Sequence, residues 1–150
     1  MEKKILGLNQ LIEKVKFLKS KKKKIVHCHG VFDLLHAGHI KHFKNAKKNG
    51  DILVVTITPD RFVNKGPSRP AFNEKIRQES LAALADIDYV SINNNSNAIE
   101  LLSKLQPNFY CKGPDYKDFR NDVTGQIKKE ILEVEKFGGK IGRAHVWTPV

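Results

Sequence analysis

Five of the chain's six histidines fall between His27 and His42, and one of its two cysteines, Cys28, lies among them. Residues of these types could bind a metal, grip phosphate or simply pack. Cys28 has no second cysteine nearby, there is no CxxC pair, and no histidine pair stands at zinc-finger distance from cysteine partners. A zinc-dependent nucleic-acid module is therefore a poor fit. Phosphate chemistry fits better. His36 and His39 are three residues apart, so a helix beginning near His36 puts both on one side of its first turn, where they can donate to neighbouring phosphate oxygens. Gly30 follows an apolar run, lets the chain turn sharply and lets a ligand approach the backbone, while Gly38 keeps the space between the two histidines clear. The helix then aims its N-terminal amides at the same place, which makes an anion site. His27 and His29 flank Cys28 and so point to the opposite side of a strand from it, with ordinary packing as their first reading. His42, one turn past His39, reads as a surface or site-edge residue.

These residues must be positioned by the elements around them. Leu8, Leu11, Ile12, Val15 and Leu18 fall at helical spacing after a candidate N-cap at Asn9, so an amphipathic helix is expected to end near Ser20. A short strand over 25–28, a loop over 30–35 and a helix marked by Ile40, Phe43 and Ala46 then make a strand-loop-helix unit that stops at Asn49-Gly50. The run 51–58 has a near-continuous apolar core over 52–57, as in a parallel strand buried on both faces. Further helices are expected over 73–85, 97–105 and 123–137, and further strands over 89–92 and 109–111. This alternation predicts a three-layer α/β domain with a parallel sheet, preceded by the amphipathic helix. In such sheets ligands bind at the carboxyl ends of the strands. The loops after Cys28, Ile57 and Cys111 carry the histidines, the stretch Lys65-Gly66-Pro67-Ser68-Arg69-Pro70, and Lys112-Gly113-Pro114-Asp115-Tyr116.

Composition sets the outer limits. At 150 residues and 40% hydrophobic content the chain is the size of one globular domain, and no apolar run approaches the roughly 20 residues that span a bilayer. The N-terminus has no signal-peptide core, so a cytoplasmic setting is expected, with Cys28 and Cys111 as buried thiols. The net charge of +11 is uneven: residues 1–24 hold nine lysines against Glu2 and Glu13. The run Lys21-Lys22-Lys23-Lys24 reads as a solvated turn, and a basic face would also suit a substrate with several phosphates.

Gly30-Val31-Phe32-Asp33-Leu34-Leu35-His36-Ala37-Gly38-His39 resembles the GxFDxxHxGH signature of the cytidylyltransferase-like nucleotidyltransferases. The likeness runs from Lys4 to about Lys140, and Lys65-Gly66-Pro67-Ser68-Arg69-Pro70, Arg77 and Lys112-Gly113-x-Asp115-Tyr116 resemble the adenylyltransferase branch that makes ADP-heptose. Glycerol-3-phosphate cytidylyltransferase, using CTP, is the nearest competitor. The resemblance implies a Rossmann-like fold and transfer of a nucleoside monophosphate from an NTP, ATP favoured, to a phosphorylated sugar such as heptose 1-phosphate, with release of pyrophosphate. It places His36, His39 and Lys65 at the chemistry. Gly30, Val31, Phe32, Asp33, Gly38, Lys112, Gly113 and Asp115 would lie along the nucleotide, with Asp33 also ordering the loop. Arg69 and Arg77 would meet the substrate phosphate, with a cap on the site as the alternative role for Arg77. Mg²⁺ is expected to arrive on the NTP, held by phosphate oxygens and water, with no metal ligands from the protein. The partners expected are the NTP and a phosphorylated sugar or polyol, without nucleic acid or membrane; a homodimer and a fused sugar kinase of the ribokinase type are compatible with the family.

The sequence departs from the family in two regions. Pro114 stands third in the Lys112-Gly113 turn and removes a backbone donor. After residues 1–140, read as the nucleotidyltransferase domain, residues 141–150 resemble a sequencing-library adapter translated in frame. The last strand and the Ser/Thr-rich loop and helix that follow it in the family are accordingly expected to be missing. A chain lacking them is expected to turn over weakly, or to survive as a catalytically inactive nucleotide-binding fragment.

Overall fold

The computed structural model describes residues 3–63, 70–112 and 125–142. Helix α1, Leu8–Ser20, buries Leu11 and Val15 and starts at Gly7, whose amide donates to the Gln10 side chain at 3.0 Å. The helix thus begins ahead of the expected Asn9 cap. Strand β1 is Ile25–Gly30, followed by α2, Ala37–Lys47, and by β2, Ile52–Ile57. A 3-10 turn at Asp60–Phe62 leads on to α3, Glu74–Ala82, whose N-cap Asn73 accepts from the Ile76 amide at 2.9 Å. Strand β3, Tyr89–Ile92, helix α4, Ile99–Leu105, strand β4, Phe109–Cys111, and helix α5, Gln126–Lys136, complete the expected alternation with slightly shorter helices.

All strands are parallel, in the order β3-β2-β1-β4 and, beyond β4, β5, Lys140–Gly142. The last strand, expected to be missing, therefore forms over three residues. It is reachable because Gly138 turns with φ +81° and Gly139 packs tightly; a Cβ there would lie 2.5 Å from the Pro107 carbonyl oxygen. The Lys140 amide then donates to the Asn108 carbonyl at 2.9 Å, which sets β5 in register with β4.

Side chains alternate across the sheet, and the two faces bury different helices. Val26, Cys28, Leu53, Val55 and Ile57 pack with Phe43 and Ala46 of α2 and Leu81 of α3. On the other face Ile25 and Val54 meet Leu11 and Val15 of α1 and Leu101 and Leu105 of α4, while Tyr110 packs with Leu102 and Val134 of α5. This is a three-layer, Rossmann-like sandwich. Cys28 and Cys111 are register partners on β1 and β4, and both are buried free thiols. Burial, then the neighbouring Cys111, push the Cys28 thiol well above its ordinary pKa. Among the described residues no helix is long and apolar enough to cross a membrane.

One helix face differs from expectation. α2 buries Gly38, His42, Phe43 and Ala46, whereas Ile40 is 45% exposed. His42 is fully buried, which corrects its reading as a surface or site-edge residue. The stripe at positions 38, 42 and 46 follows i, i+4 spacing, so the imidazole takes the inward slot that Ile40 was expected to fill.

Candidate nucleotide-binding site

Chain direction places the carboxyl ends of β1, β2 and β4 side by side. The Thr58 amide donates to the Gly30 carbonyl at 3.0 Å, and Lys112 follows Cys111, the register partner of Cys28. Between β1 and β4 the order of connection reverses: the chain goes outward from β1 to β2 and β3, then returns to β1's other side. Such a reversal opens a crevice above the strand ends.

The β1–α2 loop crosses that crevice, and its sharp turn is not where the sequence placed it. Phe32, not Gly30, has the positive φ, at 50°. A left-handed phenylalanine costs about 1–2 kcal/mol. The bend folds the ring back over β1, where it meets Phe43 (centroids 5.1 Å) and the edge of His39 (6.0 Å). Gly30 is required for that fold. A Cβ there would lie 3.0 Å from the Phe32 ring.

His36 and His39 cap α2 reciprocally. His36 is the N-cap, and its Nδ1 accepts from the Gly38 amide at 3.0 Å; His39 Nδ1 accepts from the His36 amide at 3.3 Å. An imidazole nitrogen that accepts carries no proton, so both neutral rings hold theirs on Nε2. The rings stand 4.1 Å apart, and two imidazole N–H donors are set by the backbone at one helix end. The first turn of α2 contains no acidic residue, so the positive end of the helix is left for an anion from outside.

Asp33 ties this loop to the next one. Its carboxylate accepts from the Ala71 amide at 2.6 Å and the Phe72 amide at 2.8 Å, the loop-ordering role expected of it. Lys65 and Arg69 lie outside the described residues, as do Gly113 and Asp115. Arg77, expected at a substrate phosphate, is corrected to a structural clamp. It is 1% exposed, and its guanidinium donates to the Phe72 carbonyl (3.0 Å), the Val31 carbonyl (2.8 Å) and Asp60 (2.7 Å). These bonds join the β1–α2 loop, the β2 end and the start of α3, which satisfies the fork inside the protein.

Lys112 is likewise engaged. Its ammonium reaches Glu130 of α5 at 2.6 and 3.1 Å and the Tyr110 hydroxyl at 3.1 Å, and that hydroxyl donates to Glu130 at 2.6 Å. The pair is nearly buried, 9% and 4% exposed. Glu130 was not foreseen. Its only sequence signal is that it shares an inward stripe of α5 with Ile127 and Val134.

Beside this pair lie His27 and His29. Both contact the Thr56 hydroxyl at 2.8 Å, through His27 Nε2 and His29 Nδ1. One hydroxyl proton serves two nitrogens, and His27 Nδ1 is buried with no partner. An orphaned lone pair is cheaper than an orphaned N–H. The favoured arrangement therefore runs from His27 Nε2–H to Thr56 and from Thr56 O–H to His29 Nδ1, leaving the His29 proton on Nε2, 3.5 Å from Thr58 Oγ1. Burial, then the Lys112 charge, lower the His29 pKa to about 3, with backbone hydrogen bonding at Thr56 opposing. Burial, then the charges of His29 and Lys112, hold His27 well below the ordinary histidine range. Both serve as neutral packing and hydrogen-bonding groups, as their alternation with Cys28 suggested.

A parallel sheet with a reversal at β1/β4, and a helix capped by two histidines over its end, define a Rossmann-like α/β domain with a crevice suited to an anion. Residues 27–147 match the cytidylyltransferase-like family, and the chain belongs to it. The chain is similar to the bifunctional protein HldE of Methylobacillus flagellatus, at 36% identity over 92% of this chain and 27% of that protein. It is also similar to HldE of Campylobacter jejuni subsp. doylei, at 44% identity over 90% of this chain and 29% of that one. It thus spans little more than a quarter of the length of these relatives. Among solved structures, the lipopolysaccharide core biosynthesis protein from Thermoplasma volcanium aligns with a TM-score of 0.64 at 26% identity, covering 79% of this chain and 92% of that one. Pantoate-beta-alanine ligase from Francisella tularensis shares the fold alone, with a TM-score of 0.58 at 16% identity over 92% of this chain and 65% of that one.

Proposed function

We propose that the chain transfers a nucleoside monophosphate, with ATP the favoured donor, to a phosphorylated sugar such as heptose 1-phosphate. The observation that carries this reading is the reciprocal His36–His39 cap at an acid-free helix N-terminus. A sugar phosphate has its second pKa near ~6, so its oxygen is an ionised nucleophile at neutral pH and needs no general base. That oxygen bonds to the α-phosphorus as the bond to pyrophosphate breaks. The protein's task is to align the two and to stabilise charge on the α-phosphate and the leaving group. The Nε2–H groups of His36 and His39 and the amides of α2 do this, and Lys65 and Arg69 are proposed to add positive charge. Lys112 tethers the far side of the crevice through Glu130. Among the described residues no three His, Cys, Asp or Glu side chains cluster as a metal cage. The donors of the site suit an anion, so Mg²⁺ would enter on the NTP and neutralise its phosphates. Similarity to HldE favours the sugar-phosphate acceptor.

The test pairs calorimetric binding of Mg·ATP and Mg·CTP with a pyrophosphate-release screen of four NTPs against sugar and polyol phosphates. ATP with a sugar phosphate is the expected pair, and His36→Ala or His39→Ala should lower the rate about 10²–10³-fold with the fold intact. CTP with glycerol 3-phosphate would overturn the donor and acceptor assigned here. NTP binding with no pyrophosphate from any pair would identify an inactive nucleotide-binding domain.

A further inference from the structure

The nucleotide site leaves the lysine-rich segment unexplained. Five lysines fall in the six residues 19–24, and Lys21 to Lys24 are all exposed. They precede β1, whereas the histidine cap follows it. The six residues of β1, at a rise of about 3.3 Å each, put these two features at opposite edges of the sheet. The lysines therefore cannot serve the phosphates of a bound nucleotide.

Parallel topology brings the helix ends to this edge, because every helix runs back against the strands and ends there. Lys19 of α1 donates to the Gln106 carbonyl at the end of α4, and the chain leaving α5 packs on Pro107, so three helix ends form one continuous surface. Their last turns contribute Lys19, Lys104 and Lys136. Lys104 pairs with Glu100, and Asp51 accepts from the Lys24 backbone amide. Among the described residues no carboxylate pairs with the ammonium groups of Lys21 to Lys24. Two aromatic rings also stand out here. Phe17 is 56% exposed with the Lys21 ammonium over its ring, and Phe137 is 39% exposed with Lys136 over its ring.

We propose that this basic edge docks the protein on an anionic lipid bilayer, with Lys21 to Lys24 on the headgroup phosphates and Phe17 in the interface. The lysine run is a set of point charges, suited to a diffuse anionic surface, and contains no arginine fork for reading bases. An exposed phenylalanine at its margin adds the apolar contact that a bilayer interface rewards. Charge complementarity, exposed aromatic rings and distance from the nucleotide crevice all point to this occupant. From composition the run reads as a solvated turn or a face for a polyphosphate substrate, with no membrane expected; its place in the fold, away from the crevice, argues for the bilayer instead.

Vesicle co-sedimentation tests this with the whole 150-residue chain. The chain binds phosphatidylglycerol-containing vesicles, ignores phosphatidylcholine vesicles, and is released by salt. Replacing Lys21→Gln, Lys22→Gln, Lys23→Gln and Lys24→Gln together weakens binding by several hundredfold, at about fivefold per lysine. Phe17→Ser weakens vesicle binding about tenfold and leaves heparin retention unchanged, because only the bilayer offers an apolar phase. Circular dichroism checks that each variant is folded, and the paired variants Lys21→Gln/Lys22→Gln and Lys23→Gln/Lys24→Gln provide smaller steps. Equal binding to neutral vesicles, wild-type binding by the folded quadruple variant, or insensitivity to Phe17→Ser with displacement by duplex DNA would each overturn the proposal.

Discussion

Mild acid should destabilise this fold through His29 and His27. In an unfolded chain His29 takes up a proton near its ordinary value of 6.5, but in the fold it does so only at about 3. Between those values the unfolded state binds more protons, so stability falls as pH falls. On going from about pH 8 to about pH 5, the difference at His29 alone is worth about 2 kcal/mol. His27, shifted in the same direction mainly by burial, adds to that loss. Stopping at about pH 5 keeps most carboxylates ionised and the histidine contribution separable. Urea unfolding followed by circular dichroism across this range reads the slope directly. His29→Asn removes the titrating ring while keeping an amide that can meet Thr56, so its stability should depend on pH less than wild type by about 2 kcal/mol. Parallel curves for the two proteins would refute the reasoning, since they would mean that His29 charges as easily folded as unfolded.

Three further outcomes follow from individual contacts. Arg77→Ala strands the Val31 and Phe72 carbonyls and Asp60, and should cost about 3 kcal/mol in urea unfolding; Arg77→Lys should recover little, lacking the fork. Gly30→Ala pushes a Cβ to 3.0 Å from the Phe32 ring, so a loss of about 1–3 kcal/mol and weaker Mg·ATP binding by calorimetry are expected. Lys112→Met or Glu130→Leu alone leaves a buried charge unmatched and should cost about 3–5 kcal/mol, while the double substitution, measured in a thermodynamic cycle, should be milder than either.

Much of this was legible along the chain because it is governed by local rules. Strands at Tyr89–Ile92 and Phe109–Cys111 and the end of α1 at Ser20 follow from apolar runs and helical spacing, which need no knowledge of partners. The start of α3 beside Asn73 and of α2 near His36 are equally local, since a helix start depends on a few neighbouring residues. Alternation of strands and helices then determined the class of fold.

What the tertiary structure decided depends on contacts between distant residues. Periodicity marked α2 as amphipathic, but only packing against β1 and β2 showed that His42 and not Ile40 faces inward. Arg77 looked like a phosphate ligand until three acceptors from separate segments surrounded its guanidinium. Glu130 carried no signal of its own, because its role comes from Lys112, 18 residues away along the chain. The strain of the β1–α2 loop settled on Phe32 because the ring gains contacts with Phe43 and His39 that no local rule counts. The sequence by itself determined the alternation of strands and helices as far as α5 and that His36 and His39 share the first turn of one helix. Strand order and packing alone decided which charges are buried, which reach solvent, and at which edge of the sheet each one acts.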